Sequence, residues 1–367
     1  MKIKSVEAII VSIPIRHRGV LGIGSLEKVD NVIVRITTED GLTGVGEASP
    51  WPCFADNAWS VKAAIDKYLG PAIVGHDPSE IEALLMLMDA TLHDYPFAKA
   101  AIDMALLDIV GKALGKPIHA FIGGAVRKKT TVSYSIANQD IEKDLEEIRW
   151  LLDQGIFVFK IKTGVLPYKQ EVARIEAIRR MLPGNADMRI DFNQGLRREH
   201  AIRTCRALEA FEPTFMEQPV VGEDLATMAE ITAAIDTPIM ADESVFSLRN
   251  ALDVVQMRAA DMASIKLMKP GGITRSRKVA AIFEAAGMSC YAGAMWESGI
   301  GIAASLHFMA ATPNVRYGSD YYIPDFLLVD DMIHEGLSIR DGHIYVPDGP
   351  GLGIDVDWDA VERYRVD

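Results

Sequence analysis

Cysteine is scarce in this chain: three occur in 367 residues, Cys53, Cys205 and Cys290, far apart and odd in number. A disulfide framework is excluded, no Cys-x-x-Cys or Cys/His spacing suits structural zinc, and buried thiols in a reducing compartment are expected. The eight histidines are scattered, with neither His-x-His nor His-Glu-x-x-His, which argues against a zinc hydrolase. Gly-x-Ser-x-Gly and Walker A strings are absent. Gly22-Ile-Gly24 and Gly44-Val-Gly46 lack a third glycine and open no helix, so a dinucleotide fingerprint is discounted. Long apolar runs are also missing. Val6 to Ile15 is short, carries Glu7 and is interrupted by Pro14, which suits neither a signal peptide nor a membrane span of about 20 residues. Positive charge is in deficit, 38 basic against 51 acidic side chains for a net −13. That balance argues against nucleic acid and against an anionic membrane surface, without excluding a small anionic substrate, because a buried cation can reverse the local field. A cytoplasmic protein is expected.

What remains is ordinary globular composition, 49% hydrophobic and 24% charged, in a chain long enough for a large barrel and an added domain. The opening reads as β: Ile3 to Ile13, Asn31 to Thr37, then the turn Glu39-Asp40-Gly41 and a third strand, Leu42 to Glu47. From Ala58 to Gly115 the period becomes helical, with Phe97, Ala101, Met104, Ala105 and Asp108 on one face. Strands followed by helices predict an α+β domain over residues 1–125. Beyond it, β-like runs at Thr131–Ser135, Val158–Lys162, Met188–Phe192, Thr214–Glu217, Ile239–Asp242, Met262–Lys266, Ser289–Ala292 and Val315–Gly318 alternate with helical stretches such as Lys169–Met181 and Arg275–Ala286. Eight strands at a spacing near 25 residues predict a (β/α) barrel over 126–324. The tail, 325–367, carries a hairpin-like Ile339 to Val346 that is expected to return to the N-terminal domain. Met86, Met88 and Met181 read as core filling.

The informative fact is where charge falls. Five apolar strands end in an ionisable group, Lys162, Asp191, Glu217, Asp242 and Lys266, at intervals of 29, 26, 25 and 24 residues. Parallel barrel strands all open their C-terminal ends on the face where such enzymes react their substrates. An acid ending a strand is alone more often a helix N-cap. Three on consecutive strands repel one another, and a hard divalent cation such as Mg²⁺ resolves that, taking oxygen ligands and leaving water positions for a substrate. Lys160 and Lys162 stand two apart on a strand and so share a face. At an effective dielectric near 20, like charges ~4 Å apart cost roughly 4 kcal/mol, enough to push Lys162 towards neutrality and make it a base. Lys266 ends a strand beyond the acids, whereas Lys269 is plausible as a snorkelling surface lysine. Glu297, in Met295-Trp-Glu-Ser-Gly-Ile-Gly301, could hydrogen-bond a substrate carboxylate or balance Lys266.

The set Lys160-x-Lys162, Asp191-x-Asn193, Glu217-Gln-Pro219, Asp242-Glu-Ser244 and Lys266-x-x-Lys-x-Gly-Gly272 resembles the enolase superfamily, in its mandelate racemase/muconate lactonizing enzyme family, muconate cycloisomerase subgroup. The resemblance covers nearly the whole chain, including Gly349-Pro-Gly-Leu-Gly353. It implies an α+β capping domain on a modified (β/α)₇β barrel of TIM type, one regular unit fewer than the count above. It implies Mg²⁺ (or Mn²⁺) on Asp191, Glu217 and Asp242, and abstraction of a proton alpha to a carboxylate through an enediolate, with Lys162 and Lys266 as the acid/base pair, Lys160 as electrostatic support and Glu297 on the carboxylate side. Relatives form homo-oligomers, from dimers to octamers.

Two reactions fit the resemblance, cycloisomerisation of a muconate and racemisation or epimerisation of an amino-acid derivative such as a dipeptide, an N-acyl amino acid or a betaine. Met240 to Phe246 and Ile265 to Gly272 look like dipeptide epimerases. Those enzymes hold the substrate ammonium with an Asp-x-Asp after the last barrel strand. Here the stretch is Gly318-Ser319-Asp320, which lacks the first acid and suits the muconate-type pattern, with Leu327-Leu328 following. Substrate contacts are expected from Asn193 and Asp320 and from two capping loops, about Pro14–Leu26 and Ser49–Asn57. Arg16, His17 and Arg18 would suit a second carboxylate. Trp51, Phe54 and Trp296 would suit either a cation–π box or an apolar lid.

Overall fold

Three long strands open the chain, β1 (Ile3–Pro14), β2 (Lys28–Thr38) and β3 (Thr43–Ala48), paired antiparallel in the order β1-β2-β3. The structure is a computed structural model that describes residues 1–16, 26–52, 54–337 and 339–367; His17, Arg18 and Cys53 lie outside the described residues. The helix Pro96–Leu114 lies across this sheet and is buried from Phe97 to Ile109. It is apolar on nearly every side because the sheet covers one flank and the barrel another. Backbone meets backbone here: a Cβ placed at Gly46 would lie 2.0 Å from the Ala101 carbonyl oxygen.

Chain 129–131 forms β4 (Lys129–Thr131), and the barrel begins three residues later. Its strands are β5 (Tyr134–Ile136), β6 (Val158–Lys162), β7 (Asp187–Asp191), β8 (Met216–Glu217), β9 (Ile239–Ala241), β10 (Met262–Ile265), β11 (Ser289–Ala292) and β12 (Val315–Ser319), all parallel and in sequential order. A parallel bridge from Val132 to Ser319 closes the ring. Seven helices separate the eight strands, giving the (β/α)₇β barrel. The outer helices bury a stripe, as where Arg198–Glu209 turns Ala201, Thr204, Cys205 and Leu208 inward, whereas Gly299–Ala310 is buried along its whole length. Cys205 and Cys290 are buried free thiols. Among the described residues no helix is long and apolar enough to cross a membrane.

Three expectations need correction. The run Thr131–Ser135 is not one strand: its first residue belongs to β4 and its end to β5. The tail hairpin, β13 (Ile339–Arg340) and β14 (His343–Tyr345), pairs with β4 at the foot of the barrel and not with the N-terminal sheet. What does return to that sheet is the chain on either side of the hairpin, through bridges Ile15–Leu328 and Val11–Arg365. Met88 is core and Met181 partly buried, but Met86 is 72% exposed, since it lies on the outer face of the helix Ile81–Thr91.

Where the N-terminal domain, the last barrel helix and the tail meet, His119 and His307 stack with rings 5.2 Å apart and their Nδ1 atoms 3.0 Å apart. His307 Nε2 lies 3.0 Å from the Leu352 carbonyl oxygen and so carries the proton there, which leaves Nδ1 to accept from His119. Burial pushes His307 down to about 4.

Two outcomes follow from this packing. Gly46→Ala forces the sheet away from the helix and should lower stability by about 3 kcal/mol in urea denaturation, as overpacking does. His307 binds its proton less readily folded than unfolded, so its contribution is present above pH ~6.5 and lost as pH falls towards 4. Measured between pH 7 and pH 4, the stability gap separating wild type from His307→Asn should therefore shrink by about 3 kcal/mol.

Candidate active site

The site is built by strand register. Every residue of β6 is buried, so Lys160 and Lys162, pointing inward, are lysines with little access to water. Lys162 lies level with Asp191 on β7, and Asp191 level with Glu217 on β8, neighbours at the ~4.8 Å strand spacing. Asp242 and Lys266 each follow their strands by one residue.

Burial of these groups is possible because each cation has an anion. Lys160 Nζ lies 2.7 Å from Asp320 Oδ2, 3.0 Å from Glu217 Oε2 and 3.7 Å from Asp191 Oδ2. Lys162 Nζ lies 2.6 Å from Asp191 Oδ2 and donates to Asn193 Oδ1 at 2.9 Å. Lys266 Nζ is 2.7 Å from Asp242 Oδ2 and sits over the Phe54 ring. The expectation of two bare lysines repelling each other is thus replaced by amines compensated by carboxylates, with Asp191 Oδ2 between Lys160 and Lys162. Burial opposes the charge on Lys160, but Asp320 and Glu217 outweigh it and hold the ammonium well above its ordinary range. Burial and the neighbouring Asp191 push Glu217 far up. Asp191 is held down despite burial by Lys162 and Lys160, and Asp242 likewise by Lys266 and Lys269.

Lys269 corrects the surface reading. It is fully buried, and its Nζ donates to Asp242 Oδ1 and O, both at 2.6 Å, and to Ser264 O at 3.0 Å. The signal was its spacing: three residues after Lys266 in one turn, closed by Lys269 N to Lys266 O at 3.0 Å, it falls on the same side. Glu243 was also missed. Its Oε1 accepts from Asn193 Nδ2 at 3.2 Å, so Asn193 bridges Lys162 to Glu243, whose carboxyl burial pushes up to about 8. Asn193, Gln194 and Gln218 have φ of 41°, 66° and 35°, left-handed backbone that bulky residues avoid. Gln218 is held there by its own amide, which donates to Val220 O and Ser244 Oγ and accepts from Asp242 N.

Trp51, Phe54, Lys160, Lys162, Asn193, Lys266, Trp296 and Asp320 all line one cavity, together with Tyr134, Asn138, Glu147 and Tyr322. Trp51 meets Trp296 edge-on at 6.4 Å. Arg16 is not on this wall; it turns its Nε to Leu328 O. Asp320 has both oxygens engaged, Oδ2 by Lys160 and Oδ1 by the Tyr291 hydroxyl at 2.7 Å. Glu297 is fully buried and does not pair with Lys266. Its Oε2 accepts from Met295 N at 2.7 Å, and burial pushes it up to about 8.

Among the described residues no three His, Cys, Asp or Glu side chains are gathered as a metal-holding set, and the three acids face lysines. The donor chemistry nonetheless suits a hard cation. Asp191, Glu217 and Asp242 supply carboxylate oxygen alone, Asp191 and Asp242 both raise the proton affinity of Glu217, and Glu217 Oε1 is buried with no hydrogen-bond partner.

Fold and pocket are those of a barrel enzyme equipped for acid–base chemistry. Residues 5–123 match the mandelate racemase/muconate lactonizing enzyme N-terminal domain and residues 143–360 the enolase C-terminal domain-like family, and the chain belongs to this mandelate racemase/muconate lactonizing enzyme family of the enolase superfamily. It is 34% identical over 369 residues to muconate cycloisomerase 1 of Rhodococcus opacus, covering 99% of this chain and 98% of that one. It is 36% identical over 358 residues to the L-Ala-D/L-Glu epimerase of Bacillus subtilis (strain 168), covering 96% and 97%. The muconate lactonizing enzyme of Pseudomonas fluorescens complexed with muconolactone superposes with a TM-score of 0.97 at 32% identity, over 100% of this chain and 99% of that one.

Lys269→Met removes a cation from inside the barrel and leaves Asp242 half paired. Unfolding in urea should show a loss of about 3–5 kcal/mol, the range for breaking a buried ion pair from one side.

Proposed function

We propose that this enzyme abstracts a proton alpha to a carboxylate through an enediolate, in a cycloisomerisation of the muconate type. The observation that carries the reading is that Lys162 and Lys266 line one cavity from positions four strands apart in a ring of eight. Amines half a turn apart approach a bound substrate from opposite faces, so one can take a proton while the other stabilises or returns one. Asp191, Glu217 and Asp242 would hold Mg²⁺ (or Mn²⁺), which when bound supplies positive charge beside the substrate carboxylate. Lys160 keeps a fixed positive charge at the floor of the pocket. Glu297, which the resemblance places on the carboxylate side, is fully buried beside Met295 and Trp296 with Oε1 unpartnered and does not itself line the cavity.

Asp320 supports the cycloisomerase reading over dipeptide epimerisation. With Lys160 and Tyr291 on its two oxygens, it is already neutralised and poorly placed to recognise a substrate ammonium. The second reading, a racemase or epimerase of an amino-acid derivative, draws on the same two-sided lysine arrangement and on the epimerase relative. Asn193 and the Trp51, Phe54 and Trp296 wall would set substrate fit in either case. The acidic chain with buried free thiols supports a cytoplasmic enzyme, and a homo-oligomer follows the habit of the family.

The test is incubation with Mg²⁺ in D₂O with muconate, muconolactone, dipeptides, N-acyl amino acids and proline betaines, followed by NMR. Turnover or exchange on muconate or muconolactone is expected, lost with EDTA. Lys162→Ala and Lys266→Ala should each lower it by at least about 10²-fold. Exchange on an amine-bearing member alone would move the function to racemisation, and absence of metal-dependent exchange on every carboxylate would count against the proposal.

A further inference from the structure

The chain between β11 and the helix Gly299–Ala310 carries Trp296 and Glu297, and its polar groups are held largely from outside the barrel. Glu47, at the end of β3, is wholly buried and accepts four hydrogen bonds. Its Oε1 takes Asn31 Nδ2 at 2.7 Å and Ser298 N at 2.9 Å. Its Oε2 takes Ser298 Oγ at 2.8 Å and Gly301 N at 2.7 Å. Asn31 also donates to Trp296 O at 2.9 Å, and Ser49 Oγ accepts from Trp296 N at 3.1 Å. Asn31, Glu47 and Ser49 thus grip both backbone groups of Trp296 and the helix start two residues on. Space is tight, since a Cβ at Gly301 would lie 2.9 Å from Glu47 Oε2 and 2.7 Å from Glu297.

We infer that Glu47 is a positioning residue of this enzyme: as a four-fold hydrogen-bond acceptor in the capping domain, it fixes the barrel loop that presents Trp296 as a wall of the substrate cavity. A carboxylate is the group that fits, because every partner is a donor and an amide would turn its NH₂ against one of them. Burial raises the carboxyl to about 7, and the converging donors favour the ionised form. The pocket wall is therefore set by the join between the domains and not by the barrel alone. In this reading Glu47 touches no substrate, and Glu47→Gln perturbs the wall before it perturbs the fold.

The experiment labels the five tryptophans, Trp51, Trp59, Trp150, Trp296 and Trp358, with 5-fluorotryptophan and assigns Trp51 and Trp296 by Trp→Phe replacement. In Glu47→Gln the ¹⁹F resonances of Trp296 and its neighbour Trp51 should shift or broaden while the other three stay put. Ser49→Ala, which deletes one hydroxyl, serves as the milder variant if Glu47→Gln fails to fold, and should move Trp296. An unmoved Trp296, or an equal change at all five, would overturn the inference. Because the fluorine readout needs no substrate, it is decided separately from the reaction proposed above. With a turned-over substrate in hand, the kinetic mark is an about tenfold rise in KM with kcat kept within about threefold. A kcat loss with KM unchanged would also overturn it.

Discussion

Four lysines, Lys160, Lys162, Lys266 and Lys269, sit in a barrel mouth where none has more than about a tenth of its surface in water, and the rest of the site depends on how that charge is balanced. An unpaired ammonium there would lose its proton or unfold the barrel. The answer is four carboxylates, Asp191, Glu217, Asp242 and Asp320, interleaved with the amines so that every cation has an oxygen at 2.7 Å or closer. Parallel strand register makes the interleaving possible, since adjacent strands deliver one charge each at the same height. Side chains fixed by two or three charged partners also lose little freedom on binding, which suits a pocket that must hold reacting atoms to within fractions of an ångström.

This balance shapes what the pocket can accept. Asp320 and Tyr291 anchor Lys160 from below, Asn193 ties Lys162 to Glu243, and Lys269 ties Asp242 to its own backbone. Lys162 and Lys266 are left facing the cavity from opposite sides, each backed by a carboxylate. Relatives with cycloisomerase and epimerase names are similar to this chain over nearly full length. Trp51, Trp296, Tyr134, Tyr322 and Asn138 make up much of the cavity wall.

Much of this was legible in the sequence, for identifiable reasons. Lys162, Asp191, Glu217, Asp242 and Lys266 announce themselves because a charge ending an apolar strand is costly to bury, and its repetition at the β/α interval leaves a single face for all five. Lys269 was misread because Lys-Pro-Gly-Gly looks like a solvated turn, although the turn folds its amine back into the barrel. Glu47 ends an apolar strand just as the barrel acids do, but its partners at Ser298 and Gly301 are some 250 residues away, beyond any local pattern. The hairpin was misplaced because β4 and β13 are three and two residues long, too short for periodicity to show what they pair with.

Glu47 is not the only acid by which the N-terminal domain reaches into the barrel. Asp103, buried in the helix Pro96–Leu114, accepts from Thr274 N at the start of the helix Ile273–Ala285. Two barrel helices therefore begin on carboxylates that belong to another domain, where their dipoles favour negative charge. A chimera that exchanges the roof of one family member for that of another would be transplanting helix caps as well as pocket walls. Matching Asn31, Glu47, Ser49 and Asp103 to the recipient barrel becomes a condition for grafting a new specificity, and recombination between relatives would be confined to partners that keep this set of contacts.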